Sequence, residues 1–287
     1  MLAIAGTVPM EDFPVTVGEV TLDDDHIVIQ DYRVPVNRGT PALMAAALEI
    51  ARTMGNGKIF GYLAGDIGLG EGSRRLYEYI SNNIQTANHD VITFHYLQPD
   101  SDWHNRVLFA VEKMKKRPVL IADAGFMYAA KMSGQASEYD LFTPDAGELA
   151  FLADEEAPHP FYTRGFILHE DNHTPDLIKR AYKYDNASKY LLVKGKTDYM
   201  ADRHGIINTV ESPSEETMEP IGGTGDTLTG IVSALIASGM NIPDAGILAA
   251  GVNRLAGHYA KPDPSTQIIE IIRNISRSVE ASLSTPA

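Results

Sequence analysis

The sequence predicts an α/β protein with a three-layer αβα architecture around a mainly parallel central sheet. Three observations carry this expectation. From residue 40 onward, apolar runs of strand length alternate with stretches of helical period, which is the pattern of βαβ units. Asp123 and Asp145 fall just past two of those runs, at the end of the strands where open α/β sheets place their ligands. A glycine-rich turn, Gly222–Asp226, opens an apolar helical stretch near the C-terminus. The 287 residues are read as one domain, 1–287, a size that buries roughly 75% of the unfolded surface.

Strands are expected at Leu2–Val8, Lys58–Ala64, Val91–Leu97, Pro118–Asp123, Asp140–Thr143 and Tyr190–Lys194. Helices are expected at Pro41–Met54, Gly72–Ile84, Asp102–Lys116, Gly147–Asp154 and Pro175–Tyr184, then at Asp226–Ser238, Pro243–Ala260 and Gln267–Ala281. Two segments break the alternation. Residues Val15–Val36 alternate polar and apolar positions around Asp23-Asp24-Asp25 and read as a β-hairpin or small β appendage, a candidate lid or dimer contact. Glu155–His173 is rich in turn formers and aromatics and reads as a mobile or substrate-facing loop, and the tail after Ala281 as frayed.

Composition excludes several classes. The chain has no cysteine, which removes disulfides, thiolate metal sites and cysteine nucleophiles, and points to a reducing, cytoplasmic setting. Its 24 basic and 38 acidic residues give a net charge of −14, which repels polyanions, so nucleic acid is not expected as a partner. The one tight basic run, Lys113, Lys115, Lys116 and Arg117, is read as the cationic close of a helix. No apolar stretch approaches the ~18 residues of a membrane span, and no signal peptide is seen, so a soluble chain is expected. The nine histidines have neither HExxH nor a clustered ligand spacing, and no Gly-x-Ser-x-Gly elbow is present.

The strongest chemical signal is Gly222-Gly223-Thr224-Gly225-Asp226 followed by TLTGIVSALIASG. Leu228, Ile231, Val232, Leu235 and Ile236 recur at helical spacing, so the glycines precede a helix whose first amides lack internal partners. Such amides, with the helix dipole, form an anion site suited to phosphate. Asp226 is either an N-cap or a base that takes a proton from a hydroxyl attacking the phosphate; the catalytic reading is favoured, because a carboxylate beside a phosphate is otherwise unfavourable. Asp145 and Glu148, at i and i+3, form either a capping box or a pair holding hydrated Mg²⁺ through water. Lys194, at a strand end, either neutralises a phosphate or is solvated in a turn, and Gly195 permits close backbone approach.

GGTGDTLTGIVSALIASG resembles the anion-hole motif of the ribokinase-like superfamily, most closely its NAD(P)H-hydrate dehydratase branch. PVLIADA at 118–124, LFTPDAGEL at 141–149 and LVKGKT at 192–197 resemble further segments of that family in the same order. The family's Thr-Pro-His-Pro-Gly-Glu has Asp145 in place of its histidine. The resemblance implies a ribokinase-like fold binding ATP or ADP with Mg²⁺. It also implies Asp226 as base, and Gly222, Gly223, Thr224, Gly225 and Lys194 around the nucleotide phosphates. Gly195, Thr197, Asn253 and Gly257 fall on the nucleotide side, although core packing explains the helix of the last two equally well. NRGTPALMAAALEIARTMG and GYLAGDIGLGEG resemble the sugar kinases of the same superfamily, which implies Asn37, Gly39 and Asp66, with Asp123, toward the acceptor substrate. The expected activity is phosphorylation of a hydroxyl on a small molecule, hydrated NAD(P)H foremost, by a dimer or larger homo-oligomer. The alternatives are a carbohydrate or vitamin-precursor kinase and a non-catalytic nucleotide-binding regulator.

Overall fold

The computed structural model describes residues 1–55, 57–156 and 173–284. The strands are β1 (Leu2–Val8), β2 (Thr16–Asp23), β3 (His26–Ile29), β4 (Tyr32–Pro35), β5 (Ile59–Gly65), β6 (Val91–His95), β7 (Val119–Ala122), β8 (Leu141–Phe142), β9 (Tyr190–Val193), β10 (Asp198–Asp202) and β11 (Gly205–Val210). They form one sheet in the order β11-β10-β9-β8-β7-β6-β1-β5-β2-β3-β4. The run from β9 to β5 is parallel throughout and consists of the six strands expected from the sequence. Both flanks are antiparallel.

The helices are α1 (Thr40–Thr53), α2 (Glu71–Asn83), α3 (Ser101–Glu112), α4 (Ala124–Met132), α5 (Ala146–Ala153), α6 (Thr174–Lys183), α7 (Thr224–Ala237), α8 (Ile242–Ala260), α9 (Ile268–Ile272) and α10 (Ile275–Ser284). Strand side chains alternate between faces, so each face builds its own core. Leu2, Ile4 and Val8 of β1 pack with α1, α7, α8, α9 and α10, whereas Ala3 and Ala5 pack with α2 to α6. Helix α7 is buried from Asp226 through Ile236, and it meets α1 so closely that a Cβ on Gly230 would lie 2.1 Å from the Leu43 carbonyl oxygen. That close crossing brings the N-termini of α1 and α7 together.

The structure corrects several expectations. Residues 15–36 do not stand off as a lid hairpin: β2 pairs with β5 from Thr16↔Leu63 to Val20↔Ile59, and β3 and β4 continue the main sheet. Ile27 and Ile29 are fully buried against the α1 side, which ties this meander into the core. Helix α4 was not anticipated. It starts where Asp123 accepts a hydrogen bond from the Ala124 amide, and its nine residues bury Phe126, Met127, Ala129 and Ala130, leaving little amphipathic period to read. The expected C-terminal helix is split at Arg273–Asn274 into α9 and α10.

Helix α3 ends at Glu112, so the basic run does not close a helix. Lys116 instead bonds Asp90, and Arg117 pairs with Asp140. The α10 helix runs through Ser284, and the last residues of the tail, 285–287, lie outside the described residues, as does nearly all of the expected 155–173 loop. No described helix is long and apolar enough to cross a membrane.

Candidate active site

Strand parity assembles the site. In β6 to β9, Val91, Ile121, Leu141 and Leu192 face α7, so the residues two or four positions on, His95, Asp123, Thr143 and Lys194, point the same way at the C-terminal edge. There they meet the first turns of α1 and α7. Asp226, 8% exposed, accepts a hydrogen bond from the Gly39 amide on Oδ2 at 2.6 Å and lies 3.0 Å from His95 Nε2 through Oδ1. An ionised carboxylate only accepts, so Nε2 carries the proton. The other imidazole nitrogen, Nδ1, is 3.0 Å from the Thr40 hydroxyl.

Lys194 Nζ donates to both oxygens of Asp123 at 2.9 Å. The Thr229 hydroxyl of α7 donates to Asp123 Oδ2 at 2.6 Å and lies 3.0 Å from the Thr143 hydroxyl. The lysine also lies along the glycine turn, since a Cβ on Gly225 would sit 3.6 Å from its Nζ. The turn itself requires glycine at 223, where φ is +104°. Helix α7 starts at Thr224, two residues before the expected start, so Thr224, Gly225 and Asp226 form its first turn. Their amides precede the first intrahelical bond, Thr227 N–H to the Gly223 carbonyl.

The charges alternate. Burial pulls the Asp226 pKa upward, but the His95 hydrogen bond and charge, Lys194 and the Gly39 amide outweigh it and hold the carboxyl below its ordinary value. Burial likewise opposes the Lys194 ammonium, yet Asp123 and then Glu148 raise its pKa above that of a free lysine. Glu148 keeps part of its surface open but sits deep among protein atoms. Burial, then the Asp123 charge, push it up to about 8, against the pull of Lys194.

Asp145 and Glu148 form the capping box of α5, each side chain accepting from the other's amide at 2.8 Å. That bonding uses Asp145 Oδ1 and Glu148 Oε2. Among the described residues no three His, Asp or Glu side chains are grouped to hold a metal ion. The remaining carboxyl oxygens therefore suit only a cation such as Mg²⁺ that brings waters and phosphate oxygens as its other ligands.

Several expected site residues take other work. The Asp66 carboxylate accepts from the Gly68, Gly70 and Ser73 amides and the Ser73 hydroxyl, so it organises its own turn. Asn253, expected beside the nucleotide, is buried and donates to the Thr224 carbonyl while accepting from the Thr227 hydroxyl, which braces the glycine turn from behind. Gly257, expected there too, is a packing glycine: a Cβ would lie 1.8 Å from Met218 Sδ. Gly195 and the half-buried Thr197 lie in the exposed β9–β10 turn. That turn is held by the Gly195 amide on Asp198 and by Arg254, which donates to the Gly195 and Lys196 carbonyls. Asn37 is exposed in the turn before α1, and Gly222 is exposed beside the Arg38 side chain.

Sequence reasoning missed His95, Thr40, Thr229 and Arg38. The parity of β6 was the available signal for His95, because a histidine at the end of a strand whose alternate residues face α7 has to point at the start of that helix.

A glycine turn capping a buried aspartate at the open edge of a parallel sheet defines a ribokinase-like α/β protein. A ribokinase-like superfamily protein from Enterococcus faecalis superposes with a TM-score of 0.58 at 17% identity, covering 98% of this chain and 86% of that one. Residues 98–277 match the family described as NAD(P)H-hydrate dehydratase, and the chain belongs to that family. It is 43% identical to an uncharacterized protein of Methanocaldococcus jannaschii over 220 residues, 76% of this chain and 90% of the relative. It is 27% identical over 140 residues to the ADP-dependent (S)-NAD(P)H-hydrate dehydratase of Cenarchaeum symbiosum, covering 48% of this chain and 43% of that protein.

Proposed function

We propose that the protein is a nucleotide-dependent phosphoryl-transfer enzyme that dehydrates hydrated NAD(P)H, using ADP or ATP. The observation that carries this reading is the buried Asp226 carboxylate in the first turn of α7, beside the amides of Thr224 and Gly225. The terminal phosphoryl group lies against those amides, which stabilise its charge as it transfers. Asp226 takes the proton of the substrate hydroxyl as the oxygen attacks phosphorus and the nucleotide leaves one phosphate shorter. The carbon–oxygen bond of the new phosphate ester then breaks, phosphate leaves with the bonding electrons, the neighbouring carbon loses a proton, and the nicotinamide ring double bond re-forms.

Lys194 shares its charge between Asp123 and the incoming phosphate, and Arg38 adds a second cation beside the turn. Asp145 and Glu148 would hold Mg²⁺ through water, and the ion would supply charge neutralisation at the phosphates. Membership of the NAD(P)H-hydrate dehydratase family and the ADP-dependent relative support the substrate and the nucleotide.

The test incubates purified protein with hydrated NADH, Mg²⁺ and either ADP or ATP and follows return of the reduced-nicotinamide absorbance. Nucleotide-dependent recovery is expected. Its absence, in protein that binds nucleotide, overturns the dehydratase reading and leaves a small-molecule kinase or a nucleotide-binding regulator.

A further inference from the structure

The acceptor side of the site differs in character from the phosphate side. Tyr96 directly follows His95 at the end of β6 and has φ = +49°, a left-handed conformation that is strained for a bulky aromatic residue. Its carbonyl is fixed by the Thr7 hydroxyl at 2.7 Å. The ring edge passes 3.1 Å from where a Cβ on Gly39 would stand, and Gly39 is the residue whose amide holds Asp226. The ring centroid is 4.2 Å from that of His95, and the negative charge of Asp226 is the first cause raising the phenol pKa.

Despite these anchors, Tyr96 remains 47% exposed. A strained backbone that holds a large aromatic face in solvent gains little from burial, so its benefit has to come from what lands on the ring. The neighbouring loops agree. Sheet order places β1 beside β6 and β5 next beyond it, and the segments leaving them expose Met10, Ile67 and Leu69. The Asp66 carboxylate at the end of β5 accepts from four donors of its own turn.

We infer that Tyr96 is a specificity-determining platform that stacks a flat, ring-bearing acceptor above Asp226, and that the site selects such rings over open or cyclic polyols. The inference rests on the proposed reading of the site and names the kind of acceptor it takes. An offset ring–ring contact supplies affinity with little hydrogen bonding and orients the substituent hydroxyl toward the carboxylate.

Direct binding separates this inference from turnover. Reduced nicotinamide mononucleotide is titrated, by its own fluorescence, into protein saturated with ADP, so that the nucleotide site is filled. Wild type and Tyr96→Phe are expected to bind alike. Tyr96→Asn, which tolerates the left-handed backbone but lacks the ring, is expected to bind roughly tenfold more weakly. ADP affinity stays unchanged in all three, which reports an intact fold; if Tyr96→Asn loses ADP affinity, Tyr96→Leu replaces it with the same expectation.

Equal affinity in Tyr96→Phe and the ringless variant overturns the inference, as does ribose binding more tightly than the reduced mononucleotide. Ring-dependent binding without any phosphate release sinks the proposed reaction and leaves the platform standing. Turnover that is indifferent to the Tyr96 ring does the reverse.

Discussion

His95 and Asp226 lie 131 residues apart in the sequence yet share a hydrogen bond of 3.0 Å inside the protein. The bond fixes the carboxylate in one orientation, because the Gly39 amide holds its other oxygen. His95 is therefore a positioning residue for the proposed base. His95→Ala is expected to lower kcat roughly 10- to 100-fold with little change in nucleotide KM, and His95→Gln, which keeps a donor, to recover part of it. Steady-state kinetics of the three proteins decide the matter. A KM effect alone would mean that His95 serves only the binding surface.

Asp226→Asn keeps the acceptor and shape of the side chain but no longer takes a proton. Turnover should fall about 10²–10⁴-fold while nucleotide affinity holds or improves, since a negative charge next to phosphate has been removed. Isothermal titration with ADP beside the activity assay separates the two effects. Full activity in this variant is incompatible with Asp226 as base.

The Lys194–Asp123 pair, 13% and 2% exposed, makes a stability prediction. Among the described residues, Lys194→Met leaves a buried carboxylate with the Thr229 hydroxyl and the Ala124 amide as hydrogen-bond donors and His95 Nε2 at 3.8 Å, and is expected to cost about 3–5 kcal/mol. Adding Asp123→Asn should restore most of that loss, because no uncompensated charge is then buried. Urea unfolding of the single and double variants measures the coupling.

Two glycines of α7 separate binding from folding. The nearest atoms to a Cβ on Gly225 are the flexible end of Lys194, at 3.5–3.7 Å, so Gly225→Ala is expected to fold normally and to bind nucleotide more weakly. A Cβ on Gly230 runs into the Leu43 carbonyl oxygen at 2.1 Å, so Gly230→Ala should destabilise by about 1–3 kcal/mol or more. Thermal unfolding and ADP titration of each variant should give opposite profiles.

The pH dependence of stability has a cause far from the site. Burial lowers His89 and His104 to about 4, so both stay neutral in the folded protein while the unfolded chain protonates them near 6.5. Between those values the unfolded state holds more protons, and stability falls as pH drops, by at most about 1.4 kcal/mol per unit for each histidine. His104→Gln is expected to lower the slope between pH 6.5 and 4.5 by at most about 1.4 kcal/mol per unit. An unchanged slope in urea titrations would place the acid sensitivity elsewhere.

Much of this was readable from the chain, and the readable parts share one property. The parallel strands, the helix after the glycines and the Asp145–Glu148 capping box are set by side chains a few residues apart. Helix α4 escaped because its nine residues are apolar on too many sides to leave a period. Asp66 and Asn253 hold bonds that the sequence does not reveal. Each has ordinary chemistry for a ligand contact, and only the fold reveals that the turn around Asp66 and the Thr224 carbonyl behind Asn253 already satisfy it.

By itself, then, the sequence determined the α/β class, the parallel strands and the glycine turn with its aspartate, because periodicity, turn chemistry and helix starts are local properties of the backbone. The tertiary structure alone decided that His95 faces Asp226, that Lys194 is shared with Asp123, that residues 15–36 join the main sheet and that Tyr96 stands open above the site. Those relations depend on the order of strands in the sheet and the crossing of α1 with α7. Burial and hydrogen bonding between distant segments set that order, and no short stretch of the chain encodes it.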